Sequence, residues 1–98
     1  MAEIVWTEEA SRWLQDIYEY ISADNPTAAQ KVVSGIYGKA QILLDHPVIG
    51  YLYRTEPEGE VRILLYGHYR IAYLLKTSND IEILGVFHGA LDIDRYFT

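Results

Sequence analysis

The chain has 98 residues, half of them hydrophobic, with fourteen acidic side chains against eight basic ones and a net charge of −6. That length suits one domain with a single modest core, and the absence of cysteine excludes disulfides and thiolate zinc sites. With only three lysines there is no material for a large basic patch, so direct nucleic-acid binding is not expected and a protein partner is.

No apolar run approaches the ~18–20 residues of a membrane span. Met1-Ala2-Glu3 lacks the basic start of a signal peptide. The expectation is one cytoplasmic domain over residues 1–98, with no membrane contact.

In chain order, Ala2–Trp6 alternates enough for a short strand. Thr7 is a good N-cap, and Glu8 and Glu9 fall in a first turn where the helix dipole favours acids. Ala10, Trp13, Leu14, Ile17 and Ile21 then recur at spacings of three and four, which predicts an amphipathic helix to about Ser22. Asp24-Asn25-Pro26 breaks it, and Asn25 as N-cap with Pro26 at the first helical position starts a second helix. Its stripe is Ala29, Val32 or Val33, Ile36, Ala40 and Leu43, ending before His46-Pro47. Gly35 and Gly38 interrupt it at roughly 1 kcal/mol each, and close packing on the first helix is one explanation. The short connection predicts an antiparallel helical hairpin.

After the loop Pro47–Gly50 come four strand candidates: Tyr51–Arg54, Glu60–Tyr66, Tyr69–Lys76 and Asp80–His88. Gly67-His68 between two of them is a two-residue connection with glycine first, the pattern of a type II′ turn. Such a turn fixes register: Tyr66 with Tyr69, Leu65 with Arg70, Ile63 with Ala72, Val61 with Leu74. One face then carries Val61, Ile63, Leu65, Arg70, Ala72 and Leu74, and the other Arg62, Leu64, Tyr66, Tyr69, Ile71 and Tyr73. Ser78-Asn79 makes a second tight turn, so these strands form an antiparallel meander. The fold class is α+β, an N-terminal strand and helical hairpin packed on a three- to four-stranded antiparallel sheet.

Several fragments, in order and across nearly the whole chain, resemble the RelE/ParE superfamily of bacterial type II toxins. They are Asp16–Ile21 running into Asn25-Pro26-Thr27-Ala28-Ala29, the Leu43–Gly50 connection, and Arg62 followed by Tyr69-Arg70-Ile71-Ala72-Tyr73. Gly85-Val86-Phe87-His88-Gly89-Ala90 completes the set, with Leu91 where many members place arginine. The resemblance implies one of two functions. RelE-like members cut mRNA in the ribosomal A site, and ParE-like members inhibit DNA gyrase. In-line RNA cleavage needs groups that activate the 2′-hydroxyl, hold the phosphate and protonate the leaving oxygen. RelE-like enzymes gather lysines and arginines for this on one sheet face. Here Val61 and Ile63 stand at the lysine positions, Ala90 falls at about the position of the late arginine, and Arg70 is the only charge on its face. Only a bulge could bring Arg62 beside it.

The resemblance therefore implies a non-enzymatic, ParE-like gyrase inhibitor of the plasmid-stabilisation type, with the RelE-like endonuclease as alternative. Its partner would be a cognate antitoxin whose C-terminal segment folds on binding, at the helical hairpin or a free sheet edge. Candidate contacts with target or antitoxin are Arg62, Arg70, His88, Arg95, Tyr96 and Phe97. Each has a plainer reading. Arg70 could bond a strand end or a helix C-terminus, Arg62 could be structural, His88 could simply close its strand, Tyr96 with Asp92, Asp94 and Arg95 around it could anchor a tail, and Phe97 could cap the core. The three histidines sit on three separate elements with no ligand spacing, so neither a metal nor another cofactor is expected.

Overall fold

The computed structural model describes residues 2–89, and the expectations for Arg95, Tyr96, Phe97 and the rest of the C-terminal tail lie outside them. Strand β1 (Ile4–Trp6) leads into helix α1 (Glu8–Ser22), and helix α2 (Pro26–Gln41) runs into a 3-10 turn at Ile42–Leu44. Strands β2 (Tyr51–Glu56), β3 (Gly59–Tyr66), β4 (Tyr69–Lys76) and β5 (Ile81–His88) follow. Both helix starts are capped as read: Thr7 Oγ1 accepts from the Ala10 N–H at 3.1 Å, and Asn25 Oδ1 from the Ala28 N–H at 3.0 Å. Among the described residues no helix is long and apolar enough to cross a membrane.

The strands form one five-stranded sheet in the order β1-β5-β4-β3-β2. The N-terminal strand thus enlarges the expected sheet, joining its edge parallel to β5 through Ile4↔Ile81, Val5↔Glu82 and Trp6↔Ile83. Thr7 seals that junction, with its backbone N–H and its hydroxyl both donating to the Ile83 carbonyl, at 3.2 and 2.7 Å.

The β3–β4 hairpin has the register fixed by its turn, Tyr66↔Tyr69 through Val61↔Leu74 without interruption. Gly67 adopts φ 56°, the left-handed value the first turn position needs. The second turn is wider than read: Asn79 takes φ 72° and its N–H bonds the Lys76 carbonyl at 2.8 Å, a three-residue loop with a left-handed third position.

Alternation then assigns the faces. Leu64, Ile71, Tyr73, Leu75, Ile81, Ile83 and Val86 meet Ala10, Ile36, Ala40 and Leu43 of the helical layer in the main core. On the far face Ile63, Ala72 and Phe87 form a smaller cluster with Tyr53 and Leu84. A bulge in β5 shifts the pairing from Ala72↔Gly85 to Tyr73↔Ile83, leaving Leu84 as the extra residue. For that reason Ile83 and Val86, three apart, both face the helices.

The glycines of α2 correct one expectation. Gly35 lies against the sheet, not the first helix: a Cβ there would fall on the Tyr66 hydroxyl. Gly38 faces open space, and nothing in the structure explains it.

Candidate functional site

The described candidate residues occupy three separate places. Arg62, on the helix-facing side of β3, is an architectural clamp. Its guanidinium donates to the carbonyls of Gly50 at 2.7 Å and Val48 at 3.2 Å while pairing with Glu60 at 2.9 Å. Tyr73, wholly buried opposite Arg62 on β4, completes the clasp. Its hydroxyl donates to the Pro47 carbonyl at 2.7 Å and accepts from the Gly50 N–H at 3.0 Å. Gly50 is required by close approach, since a Cβ there would come within 2.7 Å of the Tyr73 ring. The loop Pro47–Gly50 is thereby held at four backbone polar atoms by two side chains of the sheet.

Burial pushes the Tyr73 hydroxyl above the usual phenol range, against the Gly50 hydrogen bond and the Arg62 charge, which pull it down. The neutral phenol is therefore the form the fold holds. Its contribution is complete below about pH 10, where the unfolded tyrosine begins to ionise, and is lost as pH rises toward the folded value. Tyr73→Phe leaves the Pro47 acceptor and Gly50 donor without their partner and should cost about 1–3 kcal/mol. Urea unfolding at pH 7 and at pH 10.5 or so should show that loss, together with a shallower alkaline decline in the variant.

Arg70 lies across the sheet from this clasp. It pairs with Leu65 on one side and Phe87 on the other, sharing the far face with Ile63 and Ala72 as its register predicted. The bulges fall in β2 and β5, and β3 pairs with β4 without one, so Arg62 and Arg70 stay on opposite faces. Arg12, Arg54 and Arg62 are each ion-paired to a glutamate, whereas Arg70 has no such pair among the described residues. Among the described arginines it is the one without a carboxylate partner.

His88 occupies a third position. It pairs with Tyr69, so it faces the helices and not Arg70. Its ring meets Tyr69 edge-on at 5.6 Å and stacks with His68 at 6.2 Å, while the Gly89 N–H donates to the His68 carbonyl at 2.6 Å. This end of the sheet borders an apolar groove of about 610 Å³ against α1, lined among others by Trp13, Ile17, Tyr20, Tyr69, Val86 and His88. Tyr20 is 84% exposed on its rim. The groove lies on the α1 side of the helical hairpin, against the end of the sheet.

Chemically, an arginine on one face, a histidine on the other and a second arginine spent on a loop do not meet around one phosphate. Sequence reading missed the clasp because its partners are backbone atoms 12 to 26 residues away. The one available signal was Tyr73 facing Arg62 with Glu60 two residues before it.

Comparison with known proteins supplies the family. The model of the ParE toxin of the type II toxin-antitoxin system, parDE, matches residues 4–93. A putative toxin, Y4kP, of Sinorhizobium fredii (strain NBRC 101917 / NGR234) is 38% identical over 86 residues, 88% of this chain and 86% of the relative. Among solved structures, the chromosomal ParDE toxin-antitoxin system from P. aeruginosa aligns with a TM-score of 0.72 and 26% identity, covering 90% of this chain and 96% of that one. The toxin-antitoxin complex RelBE2 from Mycobacterium tuberculosis aligns at 0.60 and 25%, covering 89% and 96%. The chain belongs to the ParE toxin family of type II toxin-antitoxin systems.

Proposed function

We propose that this toxin acts without catalysis of its own, inhibiting DNA gyrase in the cytoplasm until a cognate antitoxin neutralises it. The observation that carries the reading is the isolation of Arg70 from other arginines among the described residues: its face holds Ile63, Ala72 and Phe87, and Arg62 points the other way. One cation cannot both hold a scissile phosphate and stabilise the charge that develops on it. The net charge of −6 supports the same side.

Purified toxin should block supercoiling by gyrase, or trap its cleavage complex with DNA, and leave ribosome-bound mRNA intact. Codon-specific cuts in that mRNA with gyrase untouched would establish the RelE-like endonuclease instead. The proposed contacts with the target are Arg70 and the tail residues Arg95, Tyr96 and Phe97. Deleting Arg95–Thr98 should abolish gyrase inhibition while the folding midpoint and antitoxin affinity stay the same. A midpoint lowered by many degrees would make the tail structural.

For the antitoxin, the groove between α1 and the sheet end is the proposed seat, with His88 at its border and Trp13 and Ile17 in its wall. An amphipathic segment of the antitoxin folding into it buries apolar surface in both partners. Calorimetry at several temperatures should give a large negative heat-capacity change. A small change, with an antitoxin C-terminus already helical when free, would rule out coupled folding.

A further inference from the structure

The sheet face away from the helices is buried, yet no described element forms a layer over it. Val61, Ile63, Ala72 and Phe87 on that face are each at most 2% exposed. Ala10, Ile36, Ala40 and Leu43 of the helical layer all pack on the opposite face. Among the described residues, the far-face cluster is met by Trp13 at its edge and by Tyr53 and Leu84. Those two are the extra residues of the β2 and β5 bulges, so they wall the cluster on either side and leave a shallow trough between them. Side chains that flank a residue within a sheet leave its outer end to solvent. Leu65 shows the result: on the same face, two residues beyond Ile63, it is 56% exposed. Ile63 and Ala72 are closed off within a single copy of the chain, so their cover belongs to that chain.

We infer that the far face is the docking site of this chain's own C-terminal tail, with Leu91 and Ile93 seated in the trough over Phe87, Ala72 and Ile63. The described chain ends at Gly89, two residues past Phe87, where the Gly89 N–H is held by the His68 carbonyl. From Phe87 the trough runs two strands across to Ile63, about 10 Å at the spacing of neighbouring strands. Residues 90–94 reach roughly 16 Å when extended, enough to cross it. Residue 1, the other residue outside those described, precedes β1 at the opposite edge of the sheet and is too short to serve.

The order of residues in the tail fits this seat. Leu91 and Ile93 are two apart and share one side of an extended segment, while Asp92 and Asp94 share the other. Apolar groups thus turn down onto the sheet and carboxylates turn out to water. A partner approaching this face meets two acids in place of a bare apolar sheet, and a phosphate backbone is repelled there. Arg95, Tyr96 and Phe97 follow the seated stretch and are carried past Ile63 toward β2. This inference does not depend on which target the toxin inhibits: a docked tail with gyrase untouched leaves it standing.

Methyl NMR of the purified full chain tests the seat. Nuclear Overhauser contacts should join Ile93 to Ile63 and Ala72, and Leu91 to the Phe87 ring. Leu91→Ser and Ile93→Ser together should lower the thermal midpoint by about 10 °C or more. Leu65→Ser, on the same face but outside the trough, should shift it by less than about 4 °C. Deleting residues 95–98 should preserve both the contacts and the midpoint. Contacts from Leu91 and Ile93 to α1, or to no described residue, overturn the proposal. So does an unchanged midpoint in the double serine variant, or loss of the contacts when residues 95–98 are removed. Should the double variant fail to fold, the contacts in the parent chain decide alone.

Discussion

Phe87→Ala should destabilise the toxin by about 3–5 kcal/mol, a large part of the total of a domain this size. Phe87 is 1% exposed and is the largest side chain of the far-face cluster, lying over Gly85 beside Ile63 and Ala72. The Trp13 ring meets it edge-on at 4.8 Å. Trp13 packs against both clusters, and β1 flanks β5 only as far as Ile83, so the indole joins the two cores where that strand ends. Truncation removes the ring together with its edge contact to Trp13. Chemical denaturation should show a lower midpoint at unchanged slope, and Phe87→Leu should recover more than half of the loss. A loss under about 1 kcal/mol for Phe87→Ala would mean that the far-face cluster contributes little and that the helical side alone holds the fold.

Gly50→Ala should cost about 2–4 kcal/mol, although it adds one methyl group in a loop. The new Cβ would lie 2.7 Å from the Tyr73 ring and hydroxyl and 2.8 Å from the Ile63 carbonyl. Overpacking of this kind costs about 1–3 kcal/mol, and moving Tyr73 aside also breaks its bonds to Pro47 and Gly50. Thermal unfolding should fall by roughly 10–30 °C, from about 4–8 °C per kcal/mol for a domain of this length. The same change in the Tyr73→Phe background should cost less, because the hydroxyl that it strikes is gone; a double-mutant cycle measures the difference.

The parts of the fold legible in the sequence were those encoded locally. Gly67-His68 fixed the β3–β4 register, and with it which of Arg62 and Arg70 faces which layer. Thr7, Asn25 and Pro26 set the helix starts. What escaped was non-local. The parallel seat of β1 on β5 joins residues 77 apart and leaves no turn between them to read. The β5 bulge was hidden because Ile81-Glu82-Ile83-Leu84-Gly85-Val86-Phe87 is apolar at both parities beyond Glu82, so nothing marks the residue where alternation resets. His88 acquires its face from that reset. Of the candidate site, the isolation of Arg70 could be read from period-two spacing, while the duty of Arg62 could not, since backbone carbonyls have no side-chain signature.

The pairing of the first strand with the last has a consequence for synthesis. Ile4, Val5 and Trp6 are made before the rest of the sheet, and their partners Ile81, Glu82 and Ile83 follow nearly eighty residues later. At about 5–20 residues per second, β1 waits several seconds without its neighbour. During that time the helical hairpin can form from local contacts alone, but its apolar stripe has no complete sheet to cover it. A nascent chain of this family member therefore passes through an aggregation-prone interval that ends only when β5 arrives. An antitoxin already present in the cell during that interval would meet a half-built toxin.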